Sequence, residues 1–409
     1  MTTNQNFHQT DKMFVEQSKK LIVTAVSAGS ITSGDARLIR EFIDELKADS
    51  GISGTRQHKI IDTLILNREF HPEYSNCTLS DVRAAKTAIQ DAMKPDGTPR
   101  FKANTQNDRV KIMKRFFLWM IENDYSSISS EKLRKLRPPS ANKMTKTAEM
   151  LLTEEEVLSI IQVCKNSRDR ALISVLYEGG FRIGEIGNLT WGDVHFTEVN
   201  VSVNTDFKTG KPRYVPLVAS RQYLAQWKAD SFSGTEPNDF VFTTTTTKKP
   251  VRYCSLRKHL QILAARAGIT KRVNPHIFRH SRITHLAQSG MSESVIKLMM
   301  WGSISSDMLS TYCHLGNVSI DTAVLELNGV ALPKTKEHDS MMPAQCPRCA
   351  TVNSPGMLFC GVCGAPLNDD GKTELEGVLE LLQTEMENDP GFLMETFQAM
   401  KARRKEAGV

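Results

Sequence analysis

Apolar positions in the first third of the chain recur with a helical period. Between Asp35 and Leu46, the residues Leu38, Ile39, Phe42, Ile43 and Leu46 fall on one face. Ile60, Ile61, Leu64 and Ile65 repeat the spacing between Arg56 and Leu66. Leu79 to Met93 carries Val82, Ala85 and Ile89 behind Thr78, whose hydroxyl predicts a capped start. Asn104 to Asn123 sets Val110, Met113, Phe116, Phe117 and Met120 on a core stripe. These stripes predict an all-helical N-terminal domain over residues 1–136, with the first dozen residues polar and mobile.

The period is then lost. Pro138 and Pro139 interrupt any helix, and residues 137–151 read as a basic linker. From Asp108 to Glu149, Lys and Arg outnumber Asp and Glu two to one. Two readings stay open for that run: a solvated joint, or a strip that tracks a nucleic-acid backbone by releasing counterions.

A second domain, residues 152–330, mixes periods. Thr153 caps an acidic first turn, and Arg168 to Tyr177 reads as a buried helix that runs into Gly179-Gly180-Phe181-Arg182. Val199, Val201 and Val203 alternate as a strand, and Asp206 to Gly210 turns into a second strand, Arg213 to Leu217, with Lys208 near the hairpin tip. A helix from Ser220 to Lys228, a short strand at Phe240 to Phe242 and a helix from Ser255 to Ala267 follow. An amphipathic helix begins at Pro275, and a last apolar helix spans Ile320 to Leu327. Residues 331–343 read as a tether, 344–368 as a cysteine module and 369–409 as a charged helical tail. The expected class is mainly α with a small β-sheet: an all-α N-terminal domain, a mixed α+β domain and a small metal-binding module.

Composition narrows the possibilities only slightly. A chain of 409 residues has room for two or three domains, and a net charge of +6 permits an anionic partner without demanding one. Neither an apolar leader after a basic start nor an apolar run long enough to span a bilayer is found, so the expectation is a cytoplasmic protein without a membrane partner. Cys77, Cys164, Cys254 and Cys313 are scattered, whereas Cys346-Pro-Arg-Cys349 and Cys360-Gly-Val-Cys363 form two tight pairs. That spacing is the one of a zinc ribbon, in which four thiolates close a tetrahedron around a structural zinc and leave no open catalytic position. DNA contact and protein contact both remain open as its purpose.

The candidate chemistry lies in the second domain. Breaking and rejoining a phosphodiester without losing its energy needs a protein nucleophile and fixed cations around the phosphoryl group. Arginine suits the clamp because its planar fork reaches two phosphate oxygens and stays charged. Arg182 at the Gly-Gly-Phe turn and Arg279 on a helix are candidates, and His276 shares a helical face with Arg279. Lys208 could protonate a leaving oxygen, and Tyr312 is flanked by Ser310, Thr311 and His314. Singly, each also reads as an ordinary structural or surface residue.

In order along the chain, these pieces resemble one family. Gly180-Phe181-Arg182-Ile183-Gly184-Glu185, Lys208 in its hairpin, His276-Ile277-Phe278-Arg279-His280 and Tyr312 in Ser310-Thr311-Tyr312-Cys313-His314 are similar to the catalytic domain of the tyrosine recombinases, the phage-integrase and Xer-type site-specific DNA recombinases. The preceding helical domain resembles their core-binding domain. The resemblance implies that Tyr312 attacks the scissile phosphate and forms a 3′-phosphotyrosyl link. It implies that Arg182 and Arg279 hold the non-bridging oxygens, Lys208 protonates the leaving 5′ oxygen, and His276 assists proton transfer. Glu185 would support Arg182, although a surface glutamate is an equal reading. Many relatives place a histidine after Leu-Gly where this chain has Ser303, and Trp301 is the nearest substitute. The implied partners are double-stranded DNA and further copies of the chain in a homotetramer on two DNA sites, with no cofactor for catalysis. Two rivals are a DNA-binding relative without catalysis and a type IB topoisomerase.

Overall fold

The structure is a computed structural model, and it describes residues 7, 11–142, 147–205, 212–231, 234–306, 309 and 341–388. Lys208, Tyr312 and the expected helix at Ile320 to Leu327 lie outside the described residues. The chain divides into two compact units, His8–Thr145 and a second made of Met1–Phe7 with Lys146–Val409.

The first unit is helical throughout its regular elements: α1 (Asp11–Ser27), α2 (Ser33–Ser50), α3 (Gly54–Asn67), α4 (Leu79–Asp91), α5 (Ala103–Glu122) and α6 (Ser130–Arg134). Thr32 and Thr78 start α2 and α4 with reciprocal capping boxes to Asp35 and Asp81, which satisfy otherwise orphaned N–H groups. The predicted stripes of α2 to α5 close on one core, in which Phe42, Phe116, Phe117 and Tyr74 pack edge to face. Each such side chain contributes about 1.5–3 kcal/mol through burial. Asp35 also links α2 to the turn after α3, accepting from Arg68 Nε at 2.7 Å and Tyr74 N at 2.9 Å. Burial pushes its carboxyl up, but these donors outweigh that and hold it below the usual carboxylate range. The start of the basic stretch stays with this unit, since Asn104 and Asn142 exchange hydrogen bonds of 2.9 and 2.7 Å.

The second unit opens at α7 (Glu154–Gln162), capped by Thr153, and continues through α8 (Ser167–Glu178) and the short α9 (Ile183–Asn188). Strands β1 (Val194–Phe196), β2 (Val201–Thr205) and β3 (Arg213–Leu217) form an antiparallel sheet in that order, with Val203 opposite Val194 and Val215. Helices α10 (Arg221–Asp230), α11 (Tyr253–Arg266), α12 (Pro275–Gln288) and α13 (Glu293–Trp301) follow. Helix α8 is the central element, and most of its residues are buried. Its last residue, Glu178, accepts hydrogen bonds from the N–H groups of Val218, Ala219 and Ser220 and from the Ser220 hydroxyl, which fastens β3 and α10 to it.

Three expectations are corrected. Phe240 to Phe242 is not a strand: Phe240 makes an isolated bridge with Thr190, and Val241 and Phe242 are buried by the core rather than by a sheet. The stretch after Pro275 is two helices, because the chain breaks at Ser289-Gly290. Third, Phe7, within the first dozen residues expected to be polar and mobile, is buried in the second unit's core, and its carbonyl accepts from Tyr253 N at 2.9 Å. No helix among the described residues is long and apolar enough to cross a membrane.

The C-terminal described segment belongs to the second unit. Met341 joins its core, β4 (Ala344–Gln345) pairs antiparallel with β5 (Val352–Asn353), and α14 spans Asp369–Asn388.

Candidate active site and cysteine cluster

Arg182 owes its position to the turn before it. Helix α8 ends at Gly179, and Gly180 takes φ +52°, where a side chain would be strained and a Cβ would meet Met300 Sδ at 2.9 Å. This close approach lets Phe181 drop into the core and delivers Arg182 to the N-terminus of α9, where it is partly exposed. Glu185, one turn into α9, accepts from Arg182 N at 2.7 Å and from Arg182 Nη1 at 3.0 Å. The surface reading of Glu185 fails: its residue is only 4% exposed.

His276 and Arg279 come from the start of α12. Asn274 Oδ1 caps the helix by accepting from His276 N at 3.0 Å and Ile277 N at 3.2 Å, with Pro275 at its first position. Ile277 and Phe278 fill the core, while His276 is exposed and Arg279 is 6% exposed. Arg279 donates through Nη1 to the carbonyl of Gly180 and through Nη2 to that of Met300, both at 2.6 Å. The first of these bonds ties α12 to the turn that carries Arg182.

Trp301 ends α13, where Gly302 at φ +68° closes the helix by donating to Leu298 O at 2.9 Å. Its ring packs on the core, and the Arg279 guanidinium carbon lies 5.4 Å from its centroid. Trp301 therefore stands beside one of the two candidate clamp arginines. Ser303, at the position where many relatives have histidine, has its hydroxyl 2.8 Å from that of Ser305.

A third arginine was not anticipated from the sequence. Arg213 begins β3, and its side chain is 1% exposed. It donates through Nη2 to Glu185 Oε2, and through Nη1 to Met299 O at 2.7 Å and Met300 O at 3.0 Å. Burial pushes this guanidinium's pKa down, which the Glu185 carboxylate opposes. A readable signal existed: along β3, Arg213, Val215 and Leu217 point inward, so a cation occupies a place where an apolar residue is expected. Arg182, Arg213 and Arg279 against Glu185 leave this region with surplus positive charge, suited to an anion.

The four clustered cysteines meet as their spacing predicts. The thiol sulfurs of Cys346, Cys349, Cys360 and Cys363 lie within 4.8 Å of one another, with Cys346 to Cys363 and Cys349 to Cys360 at 3.6 Å. A tetrahedral zinc with Zn–S of about 2.3 Å would have sulfur–sulfur edges of about 3.8 Å. The two halves repeat one turn: Ala350 N donates to Cys346 O and Gly364 N to Cys360 O, each at 2.9 Å, with both residues at positive φ. Backbone N–H groups of Cys363 and Val362 pull the Cys360 thiol down to about 6, toward the thiolate a metal requires. The module is docked on its own unit. Tyr223 OH donates to Pro355 O at 2.6 Å, and the Gln222 amide exchanges hydrogen bonds of 2.8 Å with Asn353 Oδ1 and Ser354 N.

A family model for the phage integrase family matches residues 150–317. The tyrosine recombinase XerC of Xylella fastidiosa is 28% identical over 219 residues, covering 52% of this chain and 70% of that protein. The tyrosine recombinase XerA of Pyrococcus furiosus is 32% identical over 190 residues, covering 44% and 63%. Among solved structures, the Tn1549 transposon integrase in complex with a circular intermediate DNA is similar at a TM-score of 0.53 and 17% identity, covering 71% of this chain and 99% of that one. The lambda integrase bound to DNA is similar at 0.52 and 14%, covering 68% and 96%, and at these identities both likenesses concern the fold. Residues 150–317, the segment that holds Arg182, Arg213 and Arg279, therefore form a domain of the phage integrase family, similar to that of tyrosine recombinases.

Proposed function

We propose that the protein cuts and reseals duplex DNA at specific sites through a 3′-phosphotyrosyl intermediate on Tyr312. The observation that carries the reading is the framework in which Arg279 is bonded both to the turn that carries Arg182 and to the end of α13, inside a phage-integrase-family domain. The Tyr312 oxygen attacks phosphorus while the bond to the 5′ oxygen breaks. Arg182 and Arg279 hold the non-bridging oxygens, and Trp301 packs against that clamp. The phenol proton leaves toward His276, and Lys208 supplies a proton to the 5′ oxygen. Attack by a 5′-hydroxyl reverses each transfer and restores a phosphodiester. The phosphotyrosine conserves the energy of the broken bond, so this step requires neither ATP nor a catalytic metal. Double-stranded DNA is the proposed substrate, a reading supported by structural neighbours solved in complex with DNA. Four copies on two sites would allow exchange of strands rather than resealing alone.

The test starts from duplexes selected out of a random-sequence library for retention by the protein. Mixing them with the protein and quenching in SDS is expected to trap a covalent adduct, and mass spectrometry of the nuclease-digested product should place the nucleotide on Tyr312. Adduct on another residue, or none on any retained duplex, would refute the mechanism. Relaxation of plasmids of any sequence without exchange between two sites would point instead to a topoisomerase.

Cys346, Cys349, Cys360 and Cys363 would hold one structural Zn²⁺, which supplies cross-linking of the two turns and no catalysis. Structural zinc of this kind binds with roughly 10–16 kcal/mol of apparent free energy, so its loss should unfold the module. Metal analysis is expected to find one zinc per chain, absent in Cys346→Ser. Chelation should open residues 341–368 to protease, and loss of the Gln222 and Tyr223 bonds should lower the Tm of the second unit by roughly 2–4 °C. Zinc-free protein whose module resists protease as well as the wild type would rule the assignment out.

A further inference from the structure

We infer that Arg213 is a positioning residue for strand cleavage, the tie that sets Arg182 and Arg279 in one frame. The inference rests on the proposed phosphotyrosyl mechanism and adds a residue to it.

Two arginines that grip one phosphate must keep a fixed separation and orientation, yet Arg182 and Arg279 sit on different elements. Arg182 is oriented by Glu185, through both its backbone N–H and Nη1. A single carboxylate on a short helix would leave that orientation to α9 alone. Arg213 takes the other side of the same carboxylate, so Glu185 is held between two guanidinium groups. From its other nitrogen, Arg213 reaches the carbonyls of Met299 and Met300 at the end of α13. The Met300 carbonyl is also the acceptor for Arg279 Nη2. One path of polar contacts therefore runs from Arg182 through Glu185, Arg213 and the Met300 carbonyl to Arg279. Trp301, the next residue, lies against Arg279 at the end of that path.

The chemistry of arginine fits this task. Its planar fork serves a carboxylate and two carbonyls at once in a fixed geometry, which a lysine ammonium on a flexible stem cannot reproduce. Helix carbonyls at a C-terminus carry partial negative charge, so a buried cation is favoured there. The Phe181 ring, 5.5 Å from the Arg213 guanidinium carbon, fills the space beside it. Arg213 also pairs with Thr205 across β2 and β3, at the described base of the hairpin whose sequence contains Lys208. Its side chain serves as a positioning group, because it is 1% exposed and bonds the carboxylate that orients Arg182.

The test compares Arg213→Lys, Arg213→Met and Glu185→Gln with wild type on duplexes that the wild type both retains and converts to SDS-trapped adduct. Cleavage rate and DNA retention are measured separately, alongside the melting temperature. Arg213→Lys keeps a cation and is expected to fold, to retain DNA within about 3-fold, and to form adduct roughly 10–100-fold more slowly. Arg213→Met is expected to be slower still. If it does not fold, Arg213→Lys decides alone. Because both residues act along one path, Glu185→Gln combined with Arg213→Lys should be no slower than the poorer single variant.

A folded Arg213→Lys protein that cleaves at the wild-type rate would overturn the inference. So would a loss of adduct in step with lost DNA retention, or fully multiplicative losses in the double variant. If the wild type itself forms no adduct, the phosphotyrosyl reading fails and the inference falls with it. Normal adduct in the wild type with no defect in Arg213→Lys removes only the inference.

Discussion

Tyr312→Phe is expected to abolish the covalent adduct, lowering its yield by roughly 10⁴-fold or more, while DNA retention stays within about 3-fold. The substitution removes one oxygen and keeps the ring. What disappears is the atom that forms the bond to phosphorus. A clamp of arginines can still hold the phosphate and stabilise charge, but with no protein nucleophile the only attacker left is water. Hydrolysis by water would release the bond energy and leave an end that cannot be resealed. The variant should therefore bind duplexes selected by the wild type, shift them in a gel, and yield neither adduct nor exchanged product. Adduct persisting in Tyr312→Phe at more than a few per cent of wild type would assign the nucleophile to another residue. Among rivals with a polar neighbourhood, Ser310 and Thr311 are adjacent in sequence. Phosphotyrosine and phosphoserine links differ in their stability to base, which separates these outcomes directly.

Much of the fold is legible in the amino-acid sequence, for reasons local to each element. Thr78 and Thr153 each precede an acidic residue at the third helical position, and the two reciprocal bonds of the capping box form without help from distant chain. The stripes of α2, α3 and α5 are wide because one face of each is wholly buried. Helix α1 lacks such a stripe: its buried residues are few, Ser18, Ile22 and Ala25, while Val23 on the same helix is 60% exposed. The mistaken strand at Phe240 to Phe242 has the opposite cause. Apolar residues there fill the core from an irregular segment, and a short buried run does not reveal whether its backbone pairs with a strand.

The site is legible where chemistry and order along the chain coincide. Arg182, His276 and Arg279 stand out as a cation at a glycine turn and a His–Arg pair at a capped helix start. Arg213 carries no such motif, because the partners that give it meaning are Glu185, Met299 and Met300, brought together only by tertiary packing. Two of those partners act through backbone carbonyls, which no side-chain pattern reports. The zinc-ribbon spacing predicts that four sulfurs meet, but not the docking of the module, since Gln222 and Tyr223 look like ordinary helix residues.

The second large effect expected is at Arg279. Arg279→Ala should reduce adduct formation by roughly 10³-fold, near the upper end for removal of one transition-state donor, and cost stability as well. The stability loss follows from two carbonyls. Gly180 O and Met300 O each accept from Arg279 at 2.6 Å, and Arg213 still serves only the second of them. Leaving Gly180 O without this donor in a buried turn costs about 1–3 kcal/mol, and the emptied volume beside Trp301 adds to it. That turn also delivers Arg182, so both clamp residues suffer from a single truncation. Arg279→Lys separates the two effects. A lysine can reach one carbonyl and keep the charge, so most stability should return, yet it cannot bridge the turn and α13 while gripping two phosphate oxygens. The expected signature is a melting temperature within about 4 °C of wild type with adduct formation still down by roughly 10²-fold. Near-normal cleavage by a well-folded Arg279→Lys would mean that charge alone suffices at this position. The fork geometry, and with it the shared frame of Gly180 and Met300, would then lose its claim on the mechanism.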